Sequence, residues 1–103
     1  YIILGMVIRG VENYYILCDM LTREHGEDFK KVQDKVEKNY FDRLFLFLDK
    51  LDMENPSMIS QAIEHDTSSI EYALGALLRV FEAHEEYERC ARIIKLKQTL
   101  SLT

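Results

Sequence analysis

Apolar positions recur along most of the chain at spacings of three and four, the period of helices that turn one face inward. From Ile2 to about Glu24, one stripe holds Ile3, Val7, Val11, Tyr14, Cys18 and Leu21, with Leu4, Ile8, Tyr15 and Leu17 beside it. Arg9, Glu12, Asp19 and Arg23 form only a narrow polar band, and Ile2, Met6, Ile16 and Met20 flank it where a surface helix is usually polar. The spacing predicts a helix that is central or covered by a partner. Gly5 and Gly10 each cost about 1 kcal/mol there relative to Ala, which points to a close backbone approach or a frayed start.

Gly26 reads as the stop of this helix, and Glu27 and Asp28 open the next with the charge its N-terminus favours. Phe29, Val32, Val36, Tyr40, Leu44, Phe47 and Leu51 carry that second helix to about residue 52. Its first half sets Glu27 with Lys31 and Asp34 with Lys38 at the supportive spacing of four, so its lysines read as one solvated face. Its second half, YFDRLFLFL, is apolar nearly all round, and a strand over 44–48 would have no partner strand. Asn55-Pro56 breaks the pattern and starts a short helix over 56–64. Ser68 with Glu71 makes a capping box that opens a helix over 69–83. The joint EAHEE then leads into a last helix over 85–100. The predicted fold class is all-α: one domain over 1–103, a helical bundle of four main helices and one short one, ending in a tight helical hairpin.

The hairpin carries the candidate functional faces. Ile70, Leu74, Leu77, Leu78 and Phe81 form the inner face of its first helix, while the other side bears Tyr72, Gly75, Ala76, Arg79 and Ala83. Small residues beside an aromatic suit a surface that another helix approaches; they equally suit a helix central in its own bundle. The second helix has acids early (Glu85, Glu86, Glu88) and bases later, the order its dipole favours. Arg89, Arg92 and Lys95 line up as a basic stripe, either a dipole-matched solvated face or a nucleic-acid contact.

Composition narrows these options. A chain of 103 residues with 48% hydrophobic and 30% charged residues, four Gly and one Pro suits a single folded, helix-rich domain. A net charge of −5 disfavours nucleic acid over the surface as a whole. Cys18 and Cys90 stand singly inside apolar patterns, which predicts buried reduced thiols and a cytoplasmic setting, with a disulfide as the alternative. The opening YIILGMVI ends at Arg9 after eight residues, too short to span a membrane, and no basic segment precedes it as in a signal peptide. Opening on Tyr1 rather than Met leaves room for a longer parent chain.

Chemistry finds little support. His25, His65 and His84 each neighbour acids, but a helix over 68–83 spans roughly 24 Å and holds His65 and His84 at opposite ends. Neither Glu-x-x-His nor HExxH occurs. The serines lack the Gly-x-Ser-x-Gly context, and no glycine-rich phosphate loop is present. No catalytic residue, metal site or cofactor is therefore expected.

Residues 87–100 resemble the UVR motif, the helical hairpin through which the excision-repair proteins UvrB and UvrC contact each other. Tyr87-Glu88 matches its aromatic-Glu opening, Cys90-Ala91 its small pair, Ile93 its aliphatic position and Leu100 its distal Leu. Ile94-Lys95 replaces its Arg-Asp pair, and Lys97 stands where Ile is expected. The resemblance implies a protein-contacting hairpin.

The reading that results is a non-enzymatic interaction or oligomerisation module, partnered by itself or by another protein and not by a membrane. Nucleic-acid binding along the basic stripe is one alternative. A small ligand stacked on Tyr14, Tyr15, Tyr40 or Tyr72 at an inter-helix or oligomer seam is another.

Overall fold

Gly26 takes φ +42°, a left-handed conformation that suits a residue without Cβ, and alone separates α1 (Ile2–His25) from α2 (Glu27–Leu48). The computed structural model describes residues 2–51, 54–57, 60 and 66–100. Two further helices follow, α3 (Thr67–Ala83) and α4 (Tyr87–Thr99). The chain is all-α, and no strand occurs among the described residues.

Several boundaries differ from those the sequence predicts, each for a local reason. α2 stops at Leu48 rather than near 52 because its bonding tightens: Lys50 N donates to Phe47 O and Leu51 N to Leu48 O. That turn tucks Leu51 into the core at 1% exposure. The short helix over 56–64 lies largely outside the described residues. α3 begins earlier than the Ser68/Glu71 box implies, because Asp66 is the N-cap and its carboxylate accepts from Ser69 N at 3.2 Å.

α3 ends in a Schellman arrangement. Glu86 N donates to Phe81 O at 2.8 Å and Glu85 N to Glu82 O at 3.1 Å, with Glu85 at φ +59° where glycine is usual. The turn delays α4 to Tyr87.

One core joins all four helices. Val7, Val11 and Tyr14 of α1 meet Phe41, Leu44 and Leu48 of α2, with Leu74, Leu77 and Phe81 of α3 and Ile93 and Leu96 of α4. The α1–α2 seam is tight at Gly10, where an added Cβ would lie 2.5 Å from Leu44 Cδ2. Tyr40 Oη donates to Gly10 O at 2.8 Å, and Tyr14 Oη donates to Glu37 Oε2 at 3.1 Å. Of the two readings for Gly10, close approach is the one observed.

This core occupies one end of the hairpin. Between Tyr15 and Tyr40 only Phe29 is buried, and it stands outside the main cluster. The molecule measures 46 × 25 × 22 Å with a radius of gyration of 14.4 Å, against about 13 Å for a compact chain of this length. α1 and α2 therefore project as an arm.

Two substitutions probe these devices. Gly10→Val should lose about 2–3 kcal/mol by overpacking against Leu44, whereas Gly75→Ala, whose added Cβ meets only Arg79 Nη1 at 3.8 Å, should gain about 0.5–1 kcal/mol. Denaturant melts compare the two directly. Glu85→Gly should raise the thermal midpoint by several degrees, since left-handed backbone costs a residue with Cβ about 1–2 kcal/mol.

Candidate interaction surface

The outward side of α3 is partly as the sequence predicts. Tyr72, Arg79 and Ala83 are exposed and Gly75 is half-buried, but Ala76 is fully buried beside Ala73 and Val80 and leaves the candidate face. Its helical phase turns it toward the core. Among the described residues only Arg79 Nη1, at 3.8 Å, would meet a Cβ on Gly75, so no described helix makes the close approach its size suggests.

Tyr15 of α1 joins this face. Its ring lies 6.1 Å from that of Tyr72, and Arg79 Nη2 donates to its hydroxyl at 3.4 Å. The aromatic run continues inward through Tyr14, 5.4 Å from Tyr15, to Tyr40 at 5.0 Å and Phe41 at 5.1 Å. Burial, then the Cys18 hydrogen bond and the charge of Glu37, pushes the Tyr14 phenol far above its ordinary value. Burial also raises Tyr40.

α1 presents the larger apolar surface. Ile16 is 59% exposed and Met20 50%, with Met6 and Leu17 also open to solvent. Beyond them an apolar groove lies between the helices, lined by Leu21 and His25 of α1 and by Asp28, Phe29, Val32 and Val36 of α2. The sequence marks Met6, Ile16 and Met20 as out of place in water, but it sets Leu17 beside the inward stripe. It does not show that Val32 opens beside them.

The basic stripe is mostly committed inside the fold, which corrects its reading as a solvated face. The Arg89 guanidinium bonds Asp42, lies 3.7 Å from Glu86 Oε2 and sits over the rings of Phe45 and Phe81, at 4.9 and 5.1 Å. Arg92 Nε pairs with Asp49 Oδ1 at 3.0 Å, and its Nη2 donates to Leu51 O at 3.2 Å. Lys95 alone is exposed and without an ion pair among the described residues. Asp42 inside the apolar run YFDRLFLFL was the available signal, because a carboxylate there calls for a cation from another element.

The lysines of α2 are likewise redistributed. Lys38 does not pair with Asp34; it bonds Asp42 at 2.9 Å and Glu86 at 3.1 Å. Lys31 reaches Asp28 at 4.0 Å rather than Glu27. The hydrogen bond to Asp42 lifts Lys38 above its ordinary range, against a burial cost. Burial works to raise Asp42, but the bonds from Lys38 and Arg89 outweigh it and hold the carboxyl low.

The histidines do not converge. His84 Nε2 is buried without a hydrogen bond, 3.7 Å from Asp34 Oδ1, while His25 lies at the arm's tip, 3.9 Å from Glu24. His65 falls outside the described residues. No group of three His, Cys, Asp or Glu able to hold a metal occurs among the described residues. Both thiols are free, Cys18 half-buried and Cys90 buried, and burial followed by the charge of Glu82 pushes Cys90 up. No helix among the described residues is long and apolar enough to cross a membrane.

Compared with known proteins, the chain matches no family model, no curated protein and no solved structure.

The Asp42 network sets a pH window. Asp42 is depressed in the folded chain, so its contribution is complete above about pH 3.9 and is lost as the pH falls through its lower folded value. Lys38 is raised, so its contribution is complete below about pH 10.4 and is lost as the pH rises through its higher folded value. Asp42→Asn should cost about 1–2 kcal/mol near pH 7. In urea melts its deficit against the wild type should shrink as the pH falls below about 3.9 and on through the lower folded value.

Proposed function

We propose that the chain is a non-enzymatic helical module that works by contact, with itself or with another protein. In this reading residues 1–103 form one helical bundle, to which the segment 56–64 adds a short helix. The carrying observation is large apolar side chains on the outward sides of α1 and α3: Ile16 at 59%, Met20 at 50% and Tyr72 at 49% exposure. Apolar area grouped in this way is stabilised by a covering partner.

Tyr72, Gly75, Arg79 and Ala83, extended by Tyr15, are the candidate contact residues of α3. The UVR-like spacing over 87–100 supports a protein-contacting role for the α3–α4 hairpin, although its small pair divides, with Cys90 buried and Ala91 exposed. Against nucleic-acid binding stands the engagement of Arg89 and Arg92 with α2 and the turn that follows it. Two unpaired thiols suit a reducing cytoplasm.

Mass measurement in solution over a concentration series, run beside a pull-down, tests the proposal. The expected result is association with a second copy or a specific retained protein. Gly75→Leu, whose Cβ would meet only Arg79 Nη1 at 3.8 Å among the described residues, should weaken association at least about tenfold where the α3 face is the seat, with circular dichroism confirming the fold. A strict monomer at high concentration that retains no protein would overturn the reading.

A further inference from the structure

The outer sides of α1 and α2 share a pattern. On α1, Arg9, Asn13, Ile16, Met20 and Arg23 alternate spacings of four and three, half a turn away from the buried line of Val7, Val11 and Tyr14. On α2, Val32, Val36, Asn39, Arg43 and Leu46 repeat that alternation. On these lines Ile16 and Met20 of α1 and Val32 and Leu46 of α2 are large apolar side chains open to solvent. α3 packs on α1 and α2 together, and the stripe of each helix lies on the side turned away from it, so the two stripes open on the same side of the arm.

Charge is polarised along this face. Its tip carries Glu24 and Asp28, its middle Ile16, Met20, Val32 and Val36, and its far half Arg9 and Arg43. Neither of these two arginines makes an ion pair among the described residues, whereas Arg23 at the tip is bound to Asp19. On α1, Glu24 and Arg9 are equidistant from a point between Ile16 and Leu17. On α2, Asp28 lies eight residues before Val36 and Arg43 seven after it. The Tyr14–Glu37 and Tyr40–Gly10 bonds fix the register that brings those two midpoints to nearly the same height.

We propose that this face receives a second copy of the chain, related by a twofold axis that lies in the contact plane and crosses α1 and α2 at the level of Leu17 and Val36. The proposal rests on the reading of the chain as an association module and names its partner. That axis runs each helix antiparallel to its own copy. It sets Glu24 of one chain over Arg9 of the other and Asp28 over Arg43, with Ile16, Leu17 and Val36 beside the axis and Met20 and Val32 opposite Asn13 and Asn39 of the copy. A twofold axis running along the helices would instead stack the acidic tips on each other. Two helices, each about 10 Å across and about 33 Å long, offer roughly 650 Å², near the about 800 Å² that a standard interface takes from each partner. Apolar burial supplies the affinity, and the charges choose the orientation.

A charge exchange tests this. One variant carries Arg9→Glu with Arg43→Glu, the other Glu24→Arg with Asp28→Arg, all at exposed positions, with circular dichroism confirming the fold. The wild type is expected to reach twice the chain mass on sedimentation, each variant alone to remain monomeric, and their equimolar mixture to recover the doubled mass at low salt. Arg9→Glu and Glu24→Arg on separate chains repeat the exchange if a double variant unfolds.

A mixture that stays monomeric, or variants that still dimerise alone, overturns the proposal. A wild-type dimer lost through Gly75→Leu but unaffected by the charge variants also overturns it, and moves the contact to α3 while sustaining the broader reading. A wild-type monomer that retains a different protein has the same effect on this proposal alone.

Discussion

α1 and α2 approach so closely at Gly10 that Leu44 fills the volume a side chain would need, and this contact governs the rest of the molecule. Without a Cβ on α1, Tyr40 comes near enough to bond the Gly10 carbonyl, and one turn further Tyr14 finds Glu37. Three contacts along one seam fix both the separation and the register of the two helices. The groove that α3 enters is shaped by that seam, since α3 packs on α1 and α2 together. A wider seam would part Val11 from Phe41 and leave Leu74 and Leu77 facing a gap, which packed interiors do not tolerate.

α4 is held on by a different balance of forces. It buries only Cys90, Ile93 and Leu96 within its length, and electrostatics supplies the remainder. Arg89 is the hub, its guanidinium over two aromatic rings and its charge met by Asp42 and Glu86. Lys38 completes the set from α2. Because these side chains are largely shielded, removing one partner costs more than at an open surface pair. The same engagement gives two of the three cations in the stripe partners within the chain.

The helices were legible because α1, α2 and α3 keep long apolar periods, and Gly26 sits where the backbone needs a left-handed residue. Capping was legible only in kind: the spacing puts the cap at Ser68, whereas Asp66 takes it because its carboxylate reaches Ser69 N. The turn into α4 was hidden, since Glu85 occupies a left-handed position that composition assigns to glycine. Periodicity also placed Ile16, Met20 and Tyr72 on outward sides, and they are exposed. It could not tell that Ala76 turns inward while Gly75 does not, because neighbouring small residues carry little signal about phase. Long-range ion pairs are beyond any reading of spacing, as Asp42 and Arg89 lie 47 positions apart.

The tyrosine cluster has an optical consequence. The chain has six tyrosines and no tryptophan, so its intrinsic ultraviolet emission is tyrosine emission alone. Tyr14, Tyr15, Tyr40 and Tyr72 stand within energy-transfer range of one another, and Tyr14 hydrogen-bonds a carboxylate, an arrangement that quenches a phenol. Opening the α1–α2 seam parts Tyr14 from Glu37 and Tyr40 and should raise its emission. The protein carries its own label-free reporter at the joint on which its architecture rests.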